Sequence, residues 1–264
     1  MWYEDMLNEI ISDMNRKELT REEKYTKIIN WWNSCNRKSV EDYNMLLDDY
    51  KILFSCNSAN IEGNEVSYEL TDNIINNGVV KNYSGFVDDI IEIKNQMYAY
   101  NSIINNIIKK VPLSKELILK SHYLLLYGLY DTNRWDKGER PGEFKKNDYC
   151  VGSVESGSDP DDVEEDIEEL INELNQDGDL LTKASYFHLQ FESIHPFSDG
   201  NGRLGRLLLN YFLMLNNHPP IVIYNEDKEA YYMALEIWDR AGKLDGFKEF
   251  IIDETIKTWF SKIK

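Results

Sequence analysis

Apolar residues recur every three or four positions along most of the chain and seldom alternate, the spacing of helices with one buried stripe. The pattern predicts helices over 41–57, 86–109, 114–127, 161–174, 181–194, 203–216, 228–240 and 244–262, joined by short turns rich in Gly, Asn, Asp or Pro. Trp2, Trp31 and Trp32 fit an interface or the core of further N-terminal helices equally well. The helical pattern breaks in two places. Between Asp131 and Asp161 glycines and prolines cluster around Tyr149-Cys150-Val151-Gly152, a short strand-like stretch that fits a small hairpin. Between Ile194 and Arg203 runs His195-Pro196-Phe197-Ser198-Asp199-Gly200-Asn201-Gly202, a loop dense in reactive side chains.

Composition narrows the classes of function. The chain has 264 residues, of which 42% are hydrophobic, enough for a sizeable core. The 47 acidic residues against 29 basic ones give a net charge of -18, which opposes binding to nucleic acid backbones or anionic membranes. Three cysteines with no CxxC spacing fit reduced thiols, and no apolar run suits a signal or a membrane span, so a cytoplasmic protein is expected.

The loop carries the chemistry. Pro196 lacks an N–H and disfavours the right-handed helical region for His195, so the preceding helix is expected to stop at about Ile194 and present His195 at its edge, where an imidazole can move protons. Gly200 and Gly202 are free to take positive φ around Asn201, which lets successive N–H groups converge on an anion at the start of the next helix. On that helix Leu204, Leu207, Leu208, Tyr211, Phe212 and Leu215 share one stripe, while Arg203 and Arg206 point together from another face. A proton acceptor, a carboxylate at Asp199 suited to Mg²⁺, a backbone anion nest and two guanidinium forks form an inventory for phosphoryl-type transfer.

The segment from His195 to Arg206 matches HPFx[DE]GNGRxxR at every defining position, and on it the chain resembles Fic-domain proteins. The resemblance implies a mainly α-helical Fic fold, a helical bundle around a helix–loop–helix active site with a small β-hairpin flap. It also implies transfer of AMP from ATP, with Mg²⁺, to a Ser, Thr or Tyr hydroxyl of a target protein, and release of pyrophosphate. In that scheme His195 is the base, Asp199 holds Mg²⁺, Gly200, Asn201 and Gly202 line the anion hole, and Arg203 and Arg206 meet the phosphates. Upstream, Ser58-Ala59-Asn60-Ile61-Glu62-Gly63 fits the inhibitory motif [ST]xxxE[GN] that accompanies many such domains, with Glu62 expected to pair with Arg206 and obstruct the γ-phosphate. Tyr149, Cys150, Val151 and Gly152 fall where the family places its target-binding flap, which grips a substrate segment by strand addition. Tyr231, Tyr232 and Asp239 resemble positions that contact adenine and ribose, although an Asn is usual in place of Asp239.

Several simpler readings stand beside these. His188, His195 and Asp199 form a conceivable metal set, but no HExxH spacing is present and Pro196 redirects the chain between them, so His188 is expected to be a packing residue. The acidic run from Asp161 to Glu173 reads as a solvated helix face. Alternative activities on the same fold are transfer of phosphate or phosphocholine, removal of AMP assisted by Glu62, and a catalytically silent nucleotide-binding module. The expected organisation is an N-terminal helical extension over residues 1–50 and a core over 51–264. Family members often form dimers and label themselves, so self-modification and a homodimer are further expectations.

Overall fold

The structure is a computed structural model and describes residues 19–151, 154–155 and 157–263. Trp2 and Gly152, singled out above, lie outside the described residues.

The helices are α1 (Arg21–Ser34), α2 (Val40–Leu46), α3 (Asp48–Ile61), α4 (Tyr68–Asp72), α5 (Val87–Ile108), α6 (Lys115–Leu126), α7 (Thr132–Asp136), α8 (Val163–Glu173), α9 (Leu180–Ile194), α10 (Asn201–Leu215), α11 (Lys228–Ala241) and α12 (Asp245–Trp259). Local chemistry explains many of their starts. Thr20 and Glu23 close a capping box at α1, Ser39 and Asp42 close another at α2, and Ser67, Ser114, Asp131 and Asp179 accept a first-turn N–H at α4, α6, α7 and α9. The stretch expected as one helix over 41–57 is instead two. Leu47 leaves helical torsions at φ -112 and ψ 20, and Asp48 and Asp49 favour a new N-terminus there. The bend keeps Tyr43, Leu47 and Tyr50 all in the core.

One hydrophobic core runs from Ile28 and Trp32 of α1 through α5, α6, α9 and α10 to Trp259 of α12. Trp31 and Trp32 pack against Trp259 with ring centroids 5.3 and 6.0 Å away. The central helix is α10, whose residues from Leu204 to Met214 are buried throughout. A lesser cluster of Ala59, Val66, Ile74 and Ile93 fixes the end of α3 against α4 and α5. The strand pairing consists of β1 (Cys150–Val151) and β2 (Val154–Glu155), antiparallel, with Cys150 opposite Glu155 and Val151 opposite Val154. Among the described residues no helix is long and apolar enough to cross a membrane.

Candidate active site

The site is built where α9 turns into α10. As the sequence requires, α9 ends at Ile194, but His195 enters the left-handed region at φ 49 and ψ 61 rather than an extended conformation. A positive φ at a residue with a Cβ is held only by its surroundings, and here two hydrogen bonds bracket it. The Ser158 N–H donates to the Ile194 carbonyl at 2.9 Å and the Lys145 N–H to the Pro196 carbonyl at 2.9 Å. Both limbs leading to the hairpin are thereby fastened on either side of His195. Burial, reinforced by the charge of Lys145, lowers the imidazole pKa below its ordinary value, so the ring is a neutral proton acceptor at pH 7.

The loop then folds back on itself. Asn201 is buried, accepting from the Phe197 N–H at 2.9 Å and donating to the Phe197 carbonyl at 2.7 Å. Its side chain thus closes the loop, which leaves its backbone for any anion. Gly200 caps α10 at φ 80, and a Cβ there would lie 2.4 Å from Leu126 Cδ2. The helix starts at Asn201, two residues earlier than the pattern of Leu204 and Leu207 suggested, so Gly202 and Arg203 stand in its first turn, where N–H groups have no helical partner.

His122, which the sequence reading passed over, anchors this loop from α6. Its Nδ1 accepts from the Gly142 N–H at 2.8 Å, which leaves the proton on Nε2 to donate to the Asp199 carbonyl at 3.0 Å. The ring stacks on Phe197 with centroids 3.7 Å apart, and burial lowers its pKa to about 4, so one neutral tautomer is fixed. A histidine on the apolar stripe of a helix between Ile118 and Leu125 was the available signal.

Arg203 spans two carboxylates, with Nη1 2.8 Å from Glu92 Oε1 and Nη2 2.8 Å from Asp199 Oδ1. Asp199 also meets Arg134 at 3.3 Å, and its carboxylate is 31% exposed, the more accessible of these acids. Glu92 was another unread signal, a carboxylate on the buried face of α5 beside Ile93 and Gln96.

Arg206 is almost wholly buried and is held by Ser58 and Glu62. Its Nε donates to Ser58 Oγ at 3.1 Å, and its Nη2 donates to the Ser58 carbonyl and to Glu62 Oε1, both at 2.8 Å. Desolvation works against its charge, but Glu62 foremost, with Tyr231 and Glu192, more than offsets it and the pKa is raised. Glu62 caps the end of α3, and the following Gly63 turns away at φ 96. A Cβ on Gly202 would stand 2.4 Å from Glu62 Oε1, so the glycine makes room for this carboxylate at the mouth of the anion nest. The pairing expected between the upstream motif and the loop is therefore present in the geometry.

The remaining sequence candidates divide. Tyr231 is buried under Arg206, its ring centroid 5.9 Å from the guanidinium, with its hydroxyl 2.9 Å from His188 Nε2. Its neighbour Tyr232 has an exposed ring, with its hydroxyl reaching the Ile61 carbonyl at 3.4 Å. Asp239 is exposed and accepts a hydrogen bond from Ser193. His188 stacks on Phe247 in the core as expected, and among the described residues no group of three or more potential ligands could hold a metal by itself. Tyr149 donates to Glu139 Oε1 at 2.9 Å, which ties the hairpin to the buried Glu139.

A neutral imidazole, a helix N-terminus and a buried arginine held by a carboxylate thus meet at one place, and comparison with known proteins identifies the domain. Residues 112–213 match the Fic/DOC family. The chain carries a Fic/DOC-family domain over that segment. It is 31% identical over 206 residues to the protein adenylyltransferase Fic of Drosophila persimilis, covering 76% of this chain and 38% of that one. Against the protein of the same name from Drosophila melanogaster the identity is 30%, with 76% and 40% covered. The chain thus spans about two fifths of the length of the curated relatives it matches. Among solved structures, a Fic domain containing signaling protein from Bacteroides thetaiotaomicron superimposes with TM-score 0.77 at 24% identity, covering 91% of this chain and 95% of that one. Fic-1 from C. elegans superimposes with TM-score 0.71 at 20% identity, covering 97% and 73%. These two establish the fold.

Proposed function

We propose that the protein is an adenylyltransferase that moves AMP from ATP onto a hydroxyl side chain of a target protein and that Glu62 holds it in a closed state. The observation that carries this is the Arg206–Glu62 contact at 2.8 Å beside the Gly200–Gly202 nest, which puts an exchangeable carboxylate where a polyphosphate would be gripped. The names of the Drosophila relatives, protein adenylyltransferase Fic, support the same choice of chemistry.

In this mechanism the neutral His195 takes the proton of the attacking Ser, Thr or Tyr hydroxyl. The hydroxyl oxygen forms a bond to the α-phosphorus of ATP while the bond from that phosphorus to the bridging oxygen breaks, and pyrophosphate leaves. The first-turn N–H groups of α10 and the Arg203 fork stabilise charge on the phosphates, and Arg206 joins them once Glu62 withdraws. Tyr232 and Asp239 lie on the side of α11 suited to the nucleoside, with Tyr231 beneath Arg206 as its support. Asp199, whose carboxylate is partly exposed, is the residue that would hold a Mg²⁺ ion. Such an ion would neutralise phosphate charge. The paired strands β1 and β2, entered from Tyr149, are the segment to receive an extended target strand, and the limbs leading to them hold His195 in place.

The free Cys35 and Cys56 support a cytoplasmic location. In this scheme residues 51–264 form the catalytic unit, with residues 1–50 as its extension, and the protein itself is one substrate. A labelling experiment tests the reaction class. Glu62→Gly supplied with ATP labelled at the α-phosphate should pass label to protein, and ATP labelled at the γ-phosphate should not. Label arriving from the γ-position would instead identify a phosphotransferase.

A further inference from the structure

Behind the Glu62–Arg206 pair lies a second carboxyl that the transfer chemistry leaves unused. Glu192 is on α9, one turn before His195, with its side chain 12% exposed. Its Oε1 is buried and has no hydrogen-bond partner among the described residues. The group presses against α10 beside Arg206, because a Cβ on Gly205 would stand 2.1 Å from Glu192 Oε1 and 3.3 Å from His188 Cε1.

A buried acid without a partner calls for an explanation. His188 does not neutralise it. Its Nε2 is 4.0 Å from Glu192 Oε1 and faces the Tyr231 hydroxyl at 2.9 Å, and burial keeps the ring uncharged with a pKa of about 3. The other charged and titratable groups facing Glu192 are Arg206 of α10, Glu62 at the end of α3, and Tyr231, Tyr232 and Asp239 of α11. Tyr231 is neutral, since burial raises its pKa far above the usual tyrosine value. Burial above all, with Glu62 and Asp239 repelling a further negative charge, raises Glu192 to about 8 even though Arg206 pulls the other way. While Glu62 occupies Arg206, Glu192 is an uncharged acid at neutral pH.

Withdrawal of Glu62 changes both influences together. One repelling carboxylate goes, and a guanidinium that is 2% exposed loses its anion. Arg206 cannot shed its own proton, so the interior charge has to be met by another group. We propose that Glu192 is the standby counterion of Arg206. It stays protonated while Glu62 or the terminal phosphate of a nucleotide neutralises the guanidinium, and it ionises to hold Arg206 in position when neither is present. The O–H bond of Glu192 breaks, its proton leaves to solvent, and the carboxylate remains facing Arg206. Opening of the latch thereby releases a proton, and binding of nucleotide to the opened site takes one up. Glu192 is a positioning residue in this scheme, and only the nucleotide half of it rests on the adenylyltransferase reading.

The test is an NMR pH titration of the Glu192 carboxyl carbon in protein made with isotope-labelled glutamate, the signal being assigned by its loss in Glu192→Gln. Wild type, Glu62→Gly and Glu62→Gln are compared without nucleotide, the last keeping the side-chain volume so that the result does not depend on how Glu62→Gly folds. The midpoint should fall by about one pH unit or more when the Glu62 charge is removed. A midpoint that stays the same or rises in both variants overturns the proposal. Addition of ATP with Mg²⁺ to Glu62→Gly should return the midpoint toward that of wild type. If nucleotide binds and the midpoint stays low, the nucleotide half is overturned. If no nucleotide binds, the adenylyltransferase reading fails, while the shift between wild type and the variants still decides the counterion role.

Discussion

Removal of the Glu62 carboxylate should raise transfer and lower stability by related amounts, because one contact supplies both. Arg206 is held by Ser58 Oγ at 3.1 Å and by the Ser58 carbonyl and Glu62 Oε1 at 2.8 Å each. The two bonds to Ser58 survive in Glu62→Gly, so the loss is one charge-assisted hydrogen bond and its counterion. Breaking a fully buried pair costs about 3–5 kcal/mol. The Glu62 side chain is 34% exposed, so water screens it and the contact is worth about 1–3 kcal/mol instead. At about 1.4 kcal/mol per tenfold change, the closed form loses about 5- to 150-fold of its advantage, and the rate of AMP transfer should rise by a similar factor. The assay pairs the initial rate of label transfer from ATP with thermal melting in the absence of nucleotide, where each kcal/mol should lower the midpoint by about 2–4 °C. A lowered melting temperature with an unchanged rate would refute the reasoning, since the contact would then be structural and not a latch. A raised rate with unchanged melting would refute the energetic link.

Other consequences follow from the groups that hold the loop. His122→Ala removes the acceptor for the Gly142 N–H, the donor to the Asp199 carbonyl and the stack on Phe197, and should cost about 2–4 kcal/mol in denaturant unfolding and lower kcat in the Glu62→Gly background. The base must be neutral to act, and burial together with Lys145 lowers the His195 pKa, so kcat of Glu62→Gly should be level above about pH 6.5 and decline as pH falls through the lowered value. An acid limb centred at or above the ordinary histidine value would contradict that assignment. Gly157→Ala would place a Cβ 2.3 Å from the Ile194 carbonyl and 2.6 Å from His195 Cβ at a residue with φ 87, so it should abolish transfer while ATP binding, followed by calorimetry, is kept.

Local chemistry made much of this legible. Pro196 ended α9 where it had to, and HPFx[DE]GNGRxxR announced the anion nest. The short motif ending at Glu62 and Gly63 found its partner Arg206, 144 residues away. What stayed hidden depended on tertiary packing. Leu47 breaks a run that is periodic on both sides, and the bend follows from the acidic start at Asp48 and Asp49 together with core packing, which periodicity alone does not show. The side chain of Asn201 closes the loop on Phe197, a contact that no spacing rule reveals and that leaves its backbone for an anion. His122, Glu92 and Glu192 were visible only as polar residues on apolar helix faces, and their partners lie on other helices.

The central claim is that His195 acts as the base above a nucleotide cradle that Glu62 closes. Its most direct test is the double variant Glu62→Gly with His195→Ala, measured for ATP affinity by calorimetry and for label transfer from α-phosphate-labelled ATP. The account predicts affinity within a few-fold of Glu62→Gly and loss of about 100-fold or more of the transfer rate. Transfer by the double variant at the rate of its Glu62→Gly parent would contradict it.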